Sequence, residues 1–227
     1  MEEIMTAKQK RDSVKKNYDL IAKQYSEEFG NYIEDLDVYE EFEKHLTPNA
    51  KILDLGAGSG RTYAYFNIRG FEYIGLDFSK EMKDLAYKLH GEFPYVVDDM
   101  VNVKKYFDNN SVDAIFAVYS LFHLPIEDLK QVLSDIYDIL NDNGVFLFTY
   151  QVGKGEEMAD EPYLNEKGKK VLYMSYQTNE EIKSLLNMFS YTEIYRKEKV
   201  ETSENSINSN EVVTVFVLVK KEIKNND

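Results

Sequence analysis

Short apolar runs alternate with helical stretches through the middle of this 227-residue chain, and no other feature limits the possible folds as strongly. The runs read ILDL at 52–55, YIGLD at 73–77, YVV at 95–97, VDAIFAVY at 112–119 and VFLFTY at 145–150. Near-continuous apolar strands separated by helices are typical of a parallel sheet covered on both faces. We therefore expect an α/β fold with about seven strands, most of them parallel.

Helix patterns occupy the gaps between these strands, at about 61–69, 79–90 and 126–141. The last pattern spaces its apolar residues by three and four, as one buried helix face requires. Asn143 and Gly144 follow it, and we expect them to end the helix as a C-cap.

The last part of the chain predicts a different arrangement. Thr178 and Glu181 have the spacing of a capping box and indicate the start of another helix. The runs at 191–200 and 211–220, separated by the polar segment SENSINSN, predict an antiparallel hairpin at one edge of the sheet.

The chain has the size of one domain, in which we distinguish three parts. Residues 1–47 predict an N-terminal helical cap, with Tyr39 and Phe42 on one helix face. Residues 48–150 form the α/β core, and residues 151–227 supply a loop and the C-terminal hairpin.

Composition excludes several classes of function. The net charge is 27 − 41 = −14, which argues against nucleic-acid binding through the overall field. The absence of Cys excludes disulfides, a Cys-ligated metal site and a thiol nucleophile, and we predict no metal. No stretch approaches 18 apolar residues and no signal peptide is visible, so we expect a cytoplasmic protein without a membrane span. Monomer and homodimer both stay open.

The segment ILDLGAGSGR at 52–61 carries the strongest local signal. Glycines after a buried strand let a ligand touch the backbone, and the following helix N-terminus offers free N–H groups. Dinucleotide binding uses G-x-G-x-x-G, whereas here the third glycine falls one place early and Arg61 stands at the sixth position. Asp77 ends the second strand, where an acid accepts both hydroxyls of a ribose.

Taken in order, these segments resemble the class I S-adenosylmethionine (SAM) dependent methyltransferases over about residues 50–150. The similar segments are ILDLGAGSG, GLDFSKEM, YVVDDM, VDAIFAVYSLFHLP, and NDNG before VFLFTY. The ending Phe122-His123-Leu124 most resembles the small-molecule branch of that family. The resemblance implies a Rossmann-like fold, SAM as cofactor and S-adenosylhomocysteine (SAH) as product.

The resemblance also implies roles for individual residues. Gly56, Gly58 and Gly60 are expected to pass the methionine end of SAM, with Asp54 ordering the loop. The other expected cofactor contacts are Asp77 at the ribose, Phe78 and Met82 around the adenine, Asp99 and Met100 at the adenine edge, Val118 at the amino group, and Arg61 and Tyr25 at the carboxylate. Core packing is an equal explanation for Met82 and Phe78, and an N-cap is the alternative for Asp77.

Two residues are candidates for the chemistry. The methyl group on a sulfonium is already activated, so alignment matters most, and a hydroxyl or ammonium acceptor also needs a base. His123 follows the fourth strand and is the best candidate base, with packing at a helix start as the alternative. Tyr18 and Tyr25 resemble the N-terminal helix that covers the active site in many family members, and we expect Tyr18 to take part in catalysis. Packing of the cap explains this pair equally well.

The remaining predictions concern the acceptor. The segment 151–170 is longer than a plain connection, which favours a functional loop. Our expected substrate contacts are Tyr119, Gln151, Tyr163 and Tyr173. Residues 27–43 hold eight acids and no Lys or Arg, which indicates a solvated helical cap or an acidic rim that favours a cationic amine.

The sequence therefore predicts methyl transfer from SAM to an oxygen or nitrogen of a small molecule. Methylation of carbon 5 of a pyrimidine usually needs a Cys nucleophile, which this chain lacks. Two alternatives stay open, an NAD-dependent oxidoreductase and a non-catalytic module that binds SAM or SAH.

Overall fold

A seven-stranded sheet forms the centre of the protein in this computed structural model, which describes residues 5–30, 33–160, 170–201 and 212–222. Its strands are β1 (Lys51–Leu55), β2 (Glu72–Asp77), β3 (Tyr95–Val97), β4 (Val112–Ala117), β5 (Leu140–Gln151), β8 (Tyr191–Glu201) and β9 (Val212–Lys221). The order is β3-β2-β1-β4-β5-β9-β8, with β1 to β5 parallel and β9 antiparallel to both neighbours. The predicted α/β sheet with an antiparallel edge hairpin is confirmed.

Helices cover the sheet, and an N-terminal pair precedes it. They are α1 (Ala7–Phe29), α2 (Leu36–Glu43), α3 (Arg61–Asn67), α4 (Lys80–His90), α5 (Ile126–Ile139) and α6 (Asn179–Met188). Short 3₁₀ helices span Met100–Lys105 and Leu121–His123. Thr178 and Glu181 form the predicted capping box at the start of α6. Within the described ranges, none of the helices has the length and apolar character that crossing a membrane requires.

The core has two layers because successive residues of each central strand face opposite sides. Ile115 in β4 packs into the layer beneath α5 and α6, together with Val132 and Ile136. Its neighbour Phe116 packs into the other layer, against Phe42 of α2 and residues of α3. Burial on both faces explains why the strands read as continuous apolar runs.

The end of α5 differs from the prediction. The helix ends at Ile139, and Leu140 then pairs with Val112 as the first residue of β5. Asn143 has a φ of 63°, but it lies within the range of β5 instead of capping the helix. The predicted C-cap at Asn143 and Gly144 is wrong because pairing with β4 begins directly after the helix.

The predicted loop at 151–170 is also different. It contains β6 (Gly155–Asp160) and the first residue of β7 (Lys170–Tyr176), which pair as a separate antiparallel two-stranded sheet. Most of β6 is exposed, so no apolar alternation marks it in the sequence. Residues 161–169, which include Tyr163, and the segment SENSINSN lie outside the described residues.

Candidate active site

The candidate site lies at the carboxyl ends of β1, β2 and β4, where the strand order reverses. Helix α1 packs against α4 and β7 and thereby crosses over this edge. Two adjoining spaces result. We call the space bordered by Gly56, Asp77 and Met100 the nucleoside cleft. We call the space of about 490 Å³ bordered by Asp35, Gln151 and Lys199 the outer cavity.

The glycine loop combines an open position with two tightly packed ones. Gly58 has a φ of 52° and nothing within 4 Å of the place where a Cβ would stand, so a ligand can approach its backbone. A Cβ on Gly56 would lie 2.5 Å from the Cβ of Ser120. A Cβ on Gly60 would lie 2.9 Å from a carbon of His90. Gly60 therefore permits packing against α4, while Gly56 and Gly58 border the nucleoside cleft.

Asp77 is a buried carboxylate at the end of β2. One of its oxygens accepts the Gly58 N–H at 3.0 Å and the other accepts the Ser79 N–H at 2.8 Å. Burial raises the pKa of Asp77 to about 6 despite these hydrogen bonds. Ser79, whose hydroxyl accepts the Met82 N–H, is the N-cap of α4, so capping does not account for Asp77.

The predicted adenine contacts Phe78, Met82, Asp99 and Met100 all border the nucleoside cleft. Asp99 accepts the Val101 N–H at 3.2 Å through one oxygen and Arg11 Nε at 2.6 Å through the other. Arg11 also pairs with Asp128 and borders the cleft. No signal in the sequence indicates Arg11, because α1 brings it to residues far along the chain.

A smaller pocket at the glycine loop is lined by Asp54, Arg61 and Val118. Asp54 is 2% exposed and accepts the Tyr73 hydroxyl at 2.5 Å. Burial raises the pKa of Asp54 to about 7. Arg61 also borders the outer cavity, so it lies between that cavity and this smaller pocket.

The two predicted catalytic residues, Tyr18 and His123, are in contact although 105 residues separate them. His123 Nδ1 lies 3.0 Å from the Tyr173 carbonyl oxygen, which can only accept, so Nδ1 carries the proton. In the neutral ring, Nε2 therefore accepts the Tyr18 hydroxyl at 3.0 Å. Burial lowers the pKa of His123 to about 4, which keeps the ring neutral near pH 7.

Tyr119 and Asp35 fix one wall of the outer cavity. Tyr119 has a φ of 61°, and its N–H donates to Thr149 Oγ1 at 2.7 Å. Its hydroxyl donates to Asp35 at 2.7 Å, and Lys199 Nζ lies 3.3 Å from the same carboxylate. Asp35 belongs to the acidic stretch 27–43, yet it is only 5% exposed. A strained backbone conformation, such as the positive φ of Tyr119, is typical of a functional position.

The other predicted substrate contacts have different outcomes. Gln151 borders the outer cavity. Tyr25, predicted as a cofactor contact, borders both spaces. Tyr173 is buried behind His123, where its backbone carbonyl holds the imidazole. The sequence did not indicate Lys199, because it reaches the cavity from β8 through pairing at the sheet edge.

Comparison with known proteins identifies the family. Residues 53–148, which include the end of β1, the glycine loop, Asp77 and His123, match a family described as "Methyltransferase domain". Residues 53–148 therefore form a methyltransferase domain, and the chain has the fold of the SAM-dependent methyltransferases. The cofactor of this family of methyltransferases is SAM, which is the cofactor that the sequence predicts.

Curated relatives match over half of the chain or slightly more. An uncharacterized protein of Methanocaldococcus jannaschii is 30% identical over 137 residues, which are 60% of this chain and 51% of that protein. A phosphoethanolamine N-methyltransferase of Plasmodium falciparum is 25% identical over 52% of this chain and 45% of its own. The chain thus spans about half the length of these curated relatives.

Solved structures share the fold of this protein over nearly the whole chain. A 1,6-didemethyltoxoflavin-N1-methyltransferase of Burkholderia thailandensis, crystallised with SAH, has a TM-score of 0.70 at 15% identity. The match covers 98% of this chain and 93% of that one. A [4+2]-cyclase, SpnF, also has a TM-score of 0.70 at 14% identity over 96% of this chain and 98% of its own. Fold alone therefore does not define the reaction.

Proposed function

We propose that this protein transfers a methyl group from SAM to a nitrogen or oxygen of a small molecule. The observation that carries the proposal is the Tyr18–His123 contact, because Tyr18 borders both the nucleoside cleft and the outer cavity. Tyr18 therefore lies between the space for a nucleoside and the space for an acceptor, and its contact with His123 allows the pair to accept a proton.

The residues of the nucleoside cleft suit SAM. Gly58 leaves open space at a left-handed backbone position, and Asp77 presents a buried carboxylate beside it. In the proposal Asp77 holds the ribose, Asp99 and Met100 hold the adenine, and the pocket with Asp54 and Arg61 holds the methionine end. SAM supplies a methyl group bound to a positively charged sulfur when it is present.

The residues of the chain position the acceptor and remove its proton. Tyr18 donates its proton to His123 Nε2, so its oxygen keeps lone pairs for an N–H or O–H of the acceptor. The imidazole is a weak base because burial lowers its pKa to about 4, so it takes the Tyr18 proton only as positive charge develops on the acceptor, while the Tyr173 carbonyl holds Nδ1–H in place. Tyr18, Tyr25 and Tyr119 border both spaces, so aromatic side chains line the boundary between them.

A small acceptor agrees with the size and surroundings of the outer cavity. About 490 Å³ falls within the range of small-molecule sites. The net charge of −14 disfavours a nucleic-acid acceptor. Two relatives are named as N-methyltransferases, which favours nitrogen as the acceptor atom. Glu34 and Asp35 at the cavity are paired with Lys199, so the charge of the cavity does not select a cationic acceptor.

A metabolite screen tests this proposal directly. The purified full-length chain, supplied with SAM and a panel of amines, phospho-amines, phenols and carboxylic acids, is expected to release SAH with at least one of them. Mass spectrometry of the product then identifies the methylated atom. SAH release with no compound, despite SAM binding, would favour a non-catalytic binding module. Calorimetric binding of NAD without binding of SAM would favour the oxidoreductase alternative.

Cofactor affinity is expected to rise with pH because of Asp77. A ribose needs the ionised carboxylate as acceptor, and burial raises the pKa of Asp77 to about 6, with Asp19 and Lys15 as the charged neighbours. If the ligand binds only the ionised form, SAH should bind roughly tenfold more weakly at pH 5 than at pH 7. Isothermal titration calorimetry measures this, and Asp77→Asn should remove the part of the dependence that comes from Asp77, leaving only that of Asp54, whose pKa burial raises to about 7. An equal slope in the variant would assign it to another group.

A further inference from the structure

Aromatic side chains form a large part of the border of the outer cavity. Helix α1 contributes Tyr18, Tyr25 and Phe29, whose spacing places them on one helix face. The rings of Tyr25 and Phe29 are in contact, with centroids 4.9 Å apart, and both residues are only half-buried. Tyr119, also half-buried, borders the cavity from the end of β4. Partly exposed aromatic faces favour a flat ligand, because such a ligand can stack on them.

The charged side chains at this cavity balance one another. Among the residues that the structure describes, its border contains the acids Glu34 and Asp35 and the bases Arg61 and Lys199. Lys199 Nζ lies 3.0 Å from Glu34 and 3.3 Å from Asp35, and Arg61 makes a side-chain hydrogen bond with Tyr39. A charged acceptor of either sign would meet a like charge at this border. The balance therefore favours an acceptor without net charge.

Gln151 brings an uncharged polar group to the same border. It is the last residue of β5, where it pairs with Thr214, and its carbonyl oxygen accepts the Gln177 N–H at 3.2 Å. Its side-chain amide makes no hydrogen bond with any residue of the described ranges. A strand that is fixed on both sides thus holds a donor and an acceptor side by side at the cavity.

A lactam matches this amide, because its N–H and C=O also lie side by side. A carboxamide binds such an edge through two parallel hydrogen bonds, as glutamine does at the edge of adenine. A flat ring that carries a lactam therefore suits the aromatic border, the balanced charge and the amide of Gln151. The cavity volume of about 490 Å³ is sufficient for a ligand of two fused rings.

We propose that the acceptor is a neutral, flat heteroaromatic molecule whose lactam edge binds the Gln151 carboxamide. The inference rests on the proposed function, because it takes the outer cavity to be the acceptor site. Gln151 binds the edge of the ring, and Tyr25 and Phe29 contact its face. Gln151 is then a residue that determines acceptor specificity. It does not border the nucleoside cleft, so cofactor binding is independent of it.

Calorimetry with matched probes tests this assignment on the wild-type chain saturated with SAH. The probe 1-isoquinolinone carries a lactam edge, whereas isoquinoline has the same fused rings and a single acceptor nitrogen. The lactam should bind about three- to tenfold more tightly, which corresponds to one additional net hydrogen bond. Benzylamine and benzoate, which carry a charge of opposite sign on one ring, should both bind more weakly than 1-isoquinolinone.

Gln151→Met removes the amide and keeps the length and neutrality of the side chain. It should reduce the preference for 1-isoquinolinone over isoquinoline to less than about twofold and leave the Kd of SAH unchanged. Gln131→Met is the matched control, because Gln131 is exposed on α5, donates to Asp135 and does not border the outer cavity. It should keep the wild-type preference. If Gln151→Met melts at a lower temperature than the wild-type chain, Gln151→Ala replaces it.

The outcomes separate this inference from the function on which it rests. A chain that binds SAH but none of the ring probes, or that prefers benzylamine or benzoate, would overturn the inference and leave the proposed function intact. A wild-type preference in the Gln151 variant would overturn the role of Gln151. Failure of the wild-type chain to bind SAH or SAM would instead contradict the proposed function.

Discussion

Replacing Asp77 by alanine is expected to weaken the binding of SAM and SAH by more than tenfold. The carboxylate is buried at the end of β2 and borders the nucleoside cleft, next to the open backbone of Gly58. A hydrogen bond to a charged group contributes about 1.5–3 kcal/mol, and 1.4 kcal/mol corresponds to a factor of ten. Loss of even one ribose hydrogen bond therefore reaches this size. Calorimetry of SAH binding gives the measurement.

Asp98→Ala provides the matched control for Asp77→Ala. Asp98 follows the neighbouring strand β3, and its carboxylate accepts the Tyr106 hydroxyl at 2.7 Å and the Asn102 amide at 2.9 Å. It lies outside the nucleoside cleft but accepts the Asp99 N–H at 2.7 Å, so its removal should weaken SAH binding by less than Asp77→Ala does. Equal affinities of Asp77→Ala and the wild-type chain would refute the ribose assignment.

Much of this site could be predicted from sequence because its signals are local. The apolar runs indicated the strands, and parallel strands must bring their carboxyl ends to one edge. This edge therefore receives Asp77, which ends β2, and the loop after β1 that contains Gly56 and Gly58. The place of Tyr18 at the site needed more, namely resemblance to a family whose N-terminal helix covers the site, and its contact with His123 was not predicted.

The contacts that the sequence did not indicate depend on long-range packing. Arg11 reaches Asp99 only because α1 docks across the sheet edge, and nothing near residue 11 encodes that partner. Lys199 reaches Asp35 through the pairing of β8 with β9. The two-stranded sheet was missed because β6 is polar and exposed, so its alternation carries no apolar signal.

Tyr119 shows how such long-range contacts shape the site. A φ of 61° is unfavourable for a tyrosine and ends β4 at Ala117, two residues earlier than the apolar run predicts. The Thr149 hydroxyl and the Asp35 carboxylate hold Tyr119 in this conformation. Tyr119 consequently borders both spaces, and the next residue, Ser120, borders the nucleoside cleft.

The second large effect is expected from Tyr18→Phe, which should lower kcat by at least a hundredfold. Proton transfer by a positioned side chain contributes about 10²–10⁴-fold. Phenylalanine keeps the ring that contacts Phe78 and His123 but removes the hydroxyl that donates to Nε2. SAH affinity should change less than about threefold, since the loss concerns the acceptor. The measurement is kcat with the acceptor that the screen identifies, alongside the Kd of SAH.

A double variant separates a catalytic pair from two independent contributions. If Tyr18 and His123 act as one unit, Tyr18→Phe with His123→Ala should be no slower than the worse single variant, because residues of one unit are not additive. His45→Ala, on an exposed part of the cap beside Glu41, is the control and should keep the wild-type kcat. Burial lowers the pKa of His123 to about 4, so the wild-type kcat should show no inflection near pH 6.5 from this group. Additive losses, or a kcat of Tyr18→Phe within threefold of wild type, would remove Tyr18 from the proton path and leave it a packing residue of α1.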